Sequence, residues 1–140
     1  TRTGDTAAAV AALRGHVDRR ESDYDSHIAL AALLERTGDS RGAADMLERA
    51  MYIHPYDAAV HERMAGIYAA TGQHAKAVRE RRAVVALNPV NRAEALYRLA
   101  AALLDAGDRQ EARRQVLRAL EIAPNFADAQ ELLLRLQGDR

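Results

Sequence analysis

A histidine followed directly by a glutamate, His61-Glu62, is one of the few pairs in the chain that could do chemistry. In zinc peptidases with the pattern HExxH, two histidines one helical turn apart bind the metal and the glutamate acts as general base. Here Ala65 stands where the second histidine is required. The pattern fails, and we interpret His61 as a structural residue rather than a metal ligand.

Other residue patterns of catalysis and cofactor binding are also missing from the sequence. It contains no cysteine, which excludes disulfides, thiolate metal sites and cysteine nucleophiles. It contains no glycine-rich phosphate loop, dinucleotide fingerprint or nucleophile elbow. The carboxylates of Asp105 and Asp108 bracket a turn, where helix capping and solvation explain them. We therefore expect no catalytic activity, no cofactor and no metal site.

A run of basic residues, KAVRERR, begins two residues after His74 and contains Lys76, Arg79, Arg81 and Arg82. It could be a solvated helix face or a basic patch for an acidic partner or RNA. No exposed aromatic residues interleave with it, although RNA binding commonly uses them as stacking platforms. The formal net charge of the chain is zero, and no apolar run is long enough to span a membrane. The solvated face is the favoured interpretation, and neither nucleic-acid binding nor membrane insertion is expected.

The elements that position these residues repeat along the chain. Glycines recur at intervals of 34, 34 and 35 residues, at Gly4, Gly38, Gly72 and Gly107. An alanine follows each of them after five residues, at Ala9, Ala43, Ala77 and Ala112. Prolines recur with the same intervals, at Pro55, Pro89 and Pro124. A fixed period of this length is typical of proteins built from stacked supersecondary units.

Apolar residues between these markers follow the spacing of amphipathic helices. Leu30, Ala31 and Leu34 precede one glycine, and Leu47 and Ala50 follow it, with the same pattern in the later segments. Each segment therefore predicts two helices of about 14 residues. The glycine ends the first helix, because a residue without a Cβ can adopt the left-handed backbone conformation at the helix end without a steric penalty.

The starts of the helices are marked too. Asp39 and Asp108 directly follow two of the glycines and are predicted N-caps of the next helix. Each proline prevents the second helix from continuing and begins the next segment. Turn and cap signals therefore agree with the apolar pattern.

A period of 34 residues with these anchors resembles the tetratricopeptide repeat (TPR) family. The resemblance implies an all-α, right-handed solenoid of helix-turn-helix repeats that forms a single domain over residues 1–140. Its predicted parts are a half repeat (4–23), three full repeats (24–57, 58–91 and 92–126) and a closing helix (127–137). Because the pattern begins within a repeat, we expect the chain to be a fragment of a longer protein.

Some positions depart from the family pattern. Histidine or leucine replaces the usual aromatic residue near the start of each first helix, at His27, His61 and Leu96. Arg81 occupies a core position that the neighbouring repeats fill with an aliphatic side chain. In the closing helix, Ala129, Leu133 and Leu134 are predicted to face inward.

The resemblance also implies where a partner binds, because TPR first helices line a concave groove that holds peptides or helices. By position, the groove residues are Arg36, Glu62, Arg63, Glu94, Tyr97 and Arg98. Arg63 and Arg98 lie at the same place in adjacent repeats and could together hold a carboxylate or carbonyl groups. The Lys/Asn clamp of one TPR subgroup, which binds chaperone C-termini, is not expected, since only Arg98 fits it and Glu94 would repel a carboxylate.

The favoured function is therefore a non-catalytic protein–protein interaction module, a TPR adaptor or scaffold. Lys76 is the only lysine, and we interpret the preference for arginine as the codon bias of a GC-rich bacterial genome. Either the cytoplasm or the periplasm of a bacterium fits the sequence. The first alternative is self-assembly into a homo-oligomer, through an apolar stripe of Val10, Leu13 and Val17 or through Leu132 and Leu136. The second is an accessory tail of a larger enzyme such as a peptidase.

Overall fold

In the computed structural model, residues 2–19 and 24–138 are described, and their regular structure is entirely α-helical. The helices are α1 (Arg2–Arg19), α2 (Tyr24–Arg36), α3 (Ser40–Ile53), α4 (Ala58–Ala70), α5 (His74–Ala86), α6 (Arg92–Asp105), α7 (Arg109–Ile122) and α8 (Ala127–Gly138). The predicted all-α class is confirmed. The last residues of the predicted half repeat, 20–23, and the side chain of Val17 lie outside the described part.

The glycine turns fall where the period predicts them. Gly38, Gly72 and Gly107 have φ angles of +83°, +76° and +88°. At the middle turn the Gln73 N–H donates to the Tyr68 carbonyl at 2.8 Å, which closes the end of α4. A Cβ added at any of the three glycines would meet no atom within 4 Å. The requirement for glycine therefore comes from the backbone conformation and not from crowding.

The predicted N-caps are also confirmed. The Asp39 carboxylate accepts a hydrogen bond from the Gly42 N–H at 2.9 Å, and the Asp108 carboxylate accepts one from the Glu111 N–H at 3.1 Å. Gln73 holds the equivalent place before α5 and makes no side-chain cap bond. These caps satisfy amide groups that have no partner inside the helix.

The structure divides into two compact units, residues 1–60 and 61–140. In the first unit, α2 packs against both α1 and α3. The core positions of α2 and α3 are fully or almost fully buried: Leu30, Ala31, Leu34, Ala43, Leu47 and Ala50. Alanines alternate with leucines among them, so that the two helices approach closely while the larger side chains fill the space between them.

A tyrosine at the start of α2 joins that helix to the loop after α3. The Tyr24 hydroxyl donates to Asp57 Oδ2 at 2.6 Å, and the Tyr24 ring meets the His54 ring edge-on, with 5.5 Å between centroids. The hydrogen bond from Tyr24 is the main cause that lowers the pKa of Asp57 below its ordinary value. Asp57 also accepts a bond from the Ala59 N–H at 3.1 Å at the start of α4.

The second unit has a contiguous apolar core contributed by its last three helices. Its buried members are Leu96, Leu99, Ala100, Leu103, Ala112, Val116, Ala119, Ala129, Leu132 and Leu136. The inward face predicted for α8 is correct for Ala129 and wrong for Leu134, which is 67% exposed. Leu132 and Leu136, which we considered as an exposed docking surface, are buried instead. Positions 129, 132 and 136 share one helical face, and that face packs on α6 and α7.

The first prediction concerns the alanines at the close helix contacts. Ala65 and Ala100 occupy equivalent positions in successive repeats, and both are fully buried. Replacing either with leucine adds volume to a packed core and should lower the free energy of unfolding by about 1–3 kcal/mol. Chemical denaturation measures this change. Ala70→Leu is the control because Ala70 is exposed in the last turn of α4, and equal midpoints for all variants would contradict the packing assignment.

The second prediction concerns the bond between Tyr24 and Asp57. Removing the hydroxyl with Tyr24→Phe should lower the free energy of unfolding by about 1 kcal/mol at neutral pH. Because the folded state lowers the pKa of Asp57, this contribution is present above the unfolded pKa of about 3.9. It is lost as the pH falls through the folded pKa.

The stability difference between wild type and Tyr24→Phe should therefore shrink in acid, as measured by denaturation across a pH series. Tyr52→Phe is the matched control, because Tyr52 is 92% exposed in the same unit. A difference that stays constant down to strongly acidic pH would show that the hydrogen bond to the carboxylate is not its source.

Candidate functional site

Five of the six predicted groove residues belong to the second unit. The structure brings Glu62 of α4 together with Glu94 and Arg98 of α6, and the three line one cavity of about 260 Å³. Tyr97 and Arg98 line a second cavity of about 140 Å³. Arg63 is half-buried on α4 and lines neither of these cavities.

The sixth predicted residue, Arg36, belongs to the first unit. It is the exposed last residue of α2. A cation at that place interacts favourably with the carbonyl end of its helix, so the structure offers a local explanation for its charge. Its membership in a binding groove stays a prediction.

Arg98 and Glu94 form an ion pair on the surface of α6. The Arg98 Nε donates to Glu94 Oε1 at 2.9 Å, across one helical turn. The Glu94 side chain is 35% exposed and that of Arg98 is 47% exposed, so the pair contributes little to stability. Its consequence for the site is electrostatic, because the negative charge of Glu94 is balanced within its own helix. The backbone N–H of Glu94 is bonded to the Asn91 side chain at 3.1 Å, a helix cap that the sequence reasoning missed.

Arg81 is the site residue that the sequence reasoning did not recognise as such. It lies on α5 at the position that Leu47 and Val116 occupy in the neighbouring repeats, and both of those are fully buried. Arg81 is half-buried and lines both cavities, as Arg98 does. A charged residue at an otherwise aliphatic position was the signal that could have placed it at the site.

The surroundings of Arg81 disfavour its charge. Desolvation is the main cause that lowers the pKa of its guanidinium, and the nearby positive charge of Arg98 lowers it further. Glu62 and Glu94 act in the opposite direction. Among the side chains that the structure describes, those of residues 5–14 and 24–138, no carboxylate forms an ion pair with Arg81.

The smaller cavity has a floor of small apolar residues and one aromatic wall. Alanines contribute half of its ten lining residues: Ala65, Ala69, Ala77, Ala101 and Ala102. The Tyr97 ring packs against the Phe126 ring with 5.2 Å between centroids, a contact absent from the sequence reasoning. Burial is the main cause that raises the pKa of Tyr97, followed by Asp128 and other nearby carboxylates. Tyr97 is therefore a neutral hydrogen-bonding group at physiological pH.

His61 has a buried carboxylate partner within the second unit. Its Nδ1 lies 2.6 Å from Glu80 Oε2, and Glu80 is only 4% exposed. Glu80 also accepts from Arg79 Nε at 2.8 Å. These bonds agree with a structural role for His61 and compensate the burial of the carboxylate. Sequence reasoning missed Glu80, whose equivalents in the other repeats are Met46 and Gln115.

The four cations of the basic run do not share one environment. Lys76 Nζ lies 5.4 Å from the Tyr68 ring centroid and Arg79 Cζ lies 5.8 Å from it, while Tyr68 is only 2% exposed. The aromatic ring is therefore beneath the cations and is not presented as a stacking surface for bases. Arg81 lines the cavities, whereas Lys76, Arg79 and Arg82 are exposed.

Among the described side chains, those of residues 5–14 and 24–138, no group of three or more His, Asp or Glu could hold a metal ion. None of the described helices combines the length and the apolar character needed to cross a bilayer.

Comparison with known proteins identifies the repeat. Residues 93–126 match the family model described as tetratricopeptide repeat. None of the curated protein sequences matches the chain at a significant level.

Solved structures share the fold over most of the chain. A tetratricopeptide repeat protein from Parabacteroides merdae is 20% identical, with a TM-score of 0.75, over 99% of this chain and 56% of that one. MamA from Desulfovibrio magneticus is 19% identical, with a TM-score of 0.71, over 96% and 76%. The first TPR of Spaghetti (RPAP3), solved with the HSP90 peptide SRMEEVD, is 23% identical, with a TM-score of 0.66, over 82% and 90%. The likeness to these structures shows that the chain shares their helical repeat fold, and the family match places one tetratricopeptide repeat at residues 93–126.

Proposed function

We propose that the chain is a non-catalytic protein–protein interaction module that binds a peptide or a helix along its first helices. The observation that carries the proposal is the pair of cavities between α4 and α6, which have Arg81 and Arg98 in common. Protein–protein interaction is the general role of TPR proteins. The Spaghetti TPR, which was solved bound to a peptide, supports a peptide as the ligand class.

The cavity lining suits a side chain of a bound segment. The alanines leave space beside α4 and α6, and Tyr97 offers an apolar ring with a polar end. The guanidiniums of Arg81 and Arg98 can donate several hydrogen bonds to carboxylates or backbone carbonyls. Arg63 is included in the proposed groove by its repeat position.

The proposal is tested with an arrayed library of short synthetic peptides whose C-termini are amidated. For the peptides that bind, we expect Tyr97→Ala and the double variant Arg63→Ala/Arg98→Ala each to weaken binding by about 2 kcal/mol or more. Truncation of a central aromatic or arginine side chain commonly has this effect at an interface. Fluorescence anisotropy with labelled peptides measures the affinities.

The control is Lys76→Ala/Arg82→Ala, which removes two exposed cations of the basic run. Arg79 is left unchanged because it also bonds the buried Glu80. We expect this control to bind nearly as tightly as the wild type. If the control loses binding while the groove variants retain it, and if affinity falls steeply with salt, the binding surface is the basic run.

Self-association is a second candidate, and exposed aromatic residues in the first unit favour it. Tyr52 is 92% exposed, Tyr56 is 73% exposed, and Ile53 lies beside Tyr52 at the end of α3. Clusters of exposed apolar residues commonly mark interaction surfaces. We place the candidate self-association surface at this cluster and not at Leu132 and Leu136, because those two leucines are buried.

Light scattering over a dilution series tests the second candidate. We expect a concentration-dependent rise in mass for the wild type and a weaker rise for Tyr52→Ser/Tyr56→Ser, because the substitutions remove apolar area from the cluster. Leu134→Ser, at an exposed leucine of the other unit, is the control. A wild type that stays monomeric at the highest concentration rules out self-association through this surface.

A further inference from the structure

The positions equivalent to Arg81 in the adjacent repeats hold aliphatic side chains. Leu47 and Val116 are fully buried at the same place in the adjacent repeats. A guanidinium at such a position loses part of its hydration, which is unfavourable unless a bonded counter-charge compensates it. Glu80, the adjacent buried residue, has two such partners, whereas no described carboxylate forms an ion pair with Arg81. The protein therefore holds a half-buried cation whose compensation is incomplete.

A second guanidinium lies close to the first. Arg81 and Arg98 both line the cavity of about 260 Å³, and the Arg98 charge acts unfavourably on Arg81. The ion pair between Arg98 and Glu94 uses the Arg98 Nε, so the bond occupies only one of the five N–H donors of this guanidinium. An anion placed in the cavity could accept hydrogen bonds from both arginines and would relieve their mutual repulsion.

The cavity also limits which anion it can hold. Glu62 and Glu94 are part of its lining. A group with two negative charges, such as a phosphate, would meet stronger repulsion from these carboxylates than a group with one. The neighbouring alanine-lined cavity of about 140 Å³ has room for a small aliphatic side chain. Together the two cavities fit an acidic side chain next to a small aliphatic one.

We propose that Arg81 is a specificity-determining residue of the groove, and that together with Arg98 it binds the side-chain carboxylate of an acidic residue in a peptide partner. A small aliphatic residue of the same peptide occupies the alanine-lined cavity. This inference rests on the proposed peptide-binding function and adds the chemical class of the ligand. It differs from a clamp for chain termini, because Arg81 comes from a second helix and the ligand group is a side chain.

The experiment uses the amidated peptide library, so that only side chains supply carboxylates. Bound peptides should be enriched in Asp or Glu beside Ala or Val. For one such peptide, Arg81→Gln should weaken binding about tenfold or more, as should replacing the peptide's acidic residue with its amide. Combining both changes should weaken binding little further, because each removes the same interaction. Arg82→Gln is the matched control and should change affinity less than about twofold, since Arg82 is exposed.

A separate variant measures the stability of the position. Arg81→Leu introduces the residue type that the first full repeat has at position 47. The thermal midpoint of unfolding should therefore rise, while the binding of acidic peptides should be lost. This combination excludes unfolding as the reason for weaker binding. Should Arg81→Leu be less stable instead, Arg81→Gln still tests the interaction through the double-mutant cycle.

Several results would overturn the inference. Peptides that bind without an acidic preference, or with equal affinity to Arg81→Gln, would leave the proposed function standing and remove Arg81 from it. A phosphoserine peptide that binds more tightly than its acidic counterpart would overturn the carboxylate assignment. If no peptide in the library binds, the proposed function fails and this inference fails with it.

Discussion

Close approach between paired helices is the physical constraint on which the rest of this structure depends. In the second unit, Ala100 of α6 and Ala112 of α7 belong to one core, and both are fully buried. Small side chains at these points bring the helix backbones together, and the leucines around them fill the remaining space. Small side chains also account for the candidate site, because the alanines of α4 and α6 that line the smaller cavity leave room beside the helices. Close helix packing and the free space of the candidate site therefore both depend on alanine.

The repeat architecture could be predicted from the sequence because its signals are local. Glycine turns at Gly38, Gly72 and Gly107, together with the caps Asp39 and Asp108, mark helix ends within a few residues of where the structure has them. In α8 the local signal was ambiguous, since three leucines in a row, 132–134, allow more than one helix face to be apolar. Packing against α6 and α7 decided between those faces.

The details of the site could not be predicted in the same way, because they depend on which helices meet. Glu80 and His61 are 19 residues apart, and nothing in the local pattern of α5 indicates that the carboxylate is buried beneath a histidine of α4. The contact between Tyr97 and Phe126 likewise joins α6 to the loop before α8. For Arg81 the sequence did supply a signal, a charge at an apolar repeat position, but not the direction of its side chain.

Polar residues enter the interior of the second unit at two adjacent positions of α5, with different results. Glu80 is bonded to His61 and Arg79, so its burial is compensated within the protein. Arg81 lacks an equivalent ion pair among the described side chains and faces two cavities. The first is an internal polar contact, which can fix the pairing of α4 with α5. The second is a half-buried charge without an ion pair among the described side chains.

The open space around the turn glycines has a consequence for chirality. At Gly38, Gly72 and Gly107 the backbone has positive φ, yet a Cβ added there would meet no atom within 4 Å beyond the adjacent residues. The turns therefore require a left-handed backbone conformation, and they do not require a small residue for lack of space. A D-alanine, which prefers positive φ, has the stereochemistry that these positions favour, and it would also reduce the freedom of the unfolded chain, where glycine is the most flexible residue. Glycine, which has no Cβ, is therefore an achiral substitute for the D-residue whose backbone conformation each turn adopts.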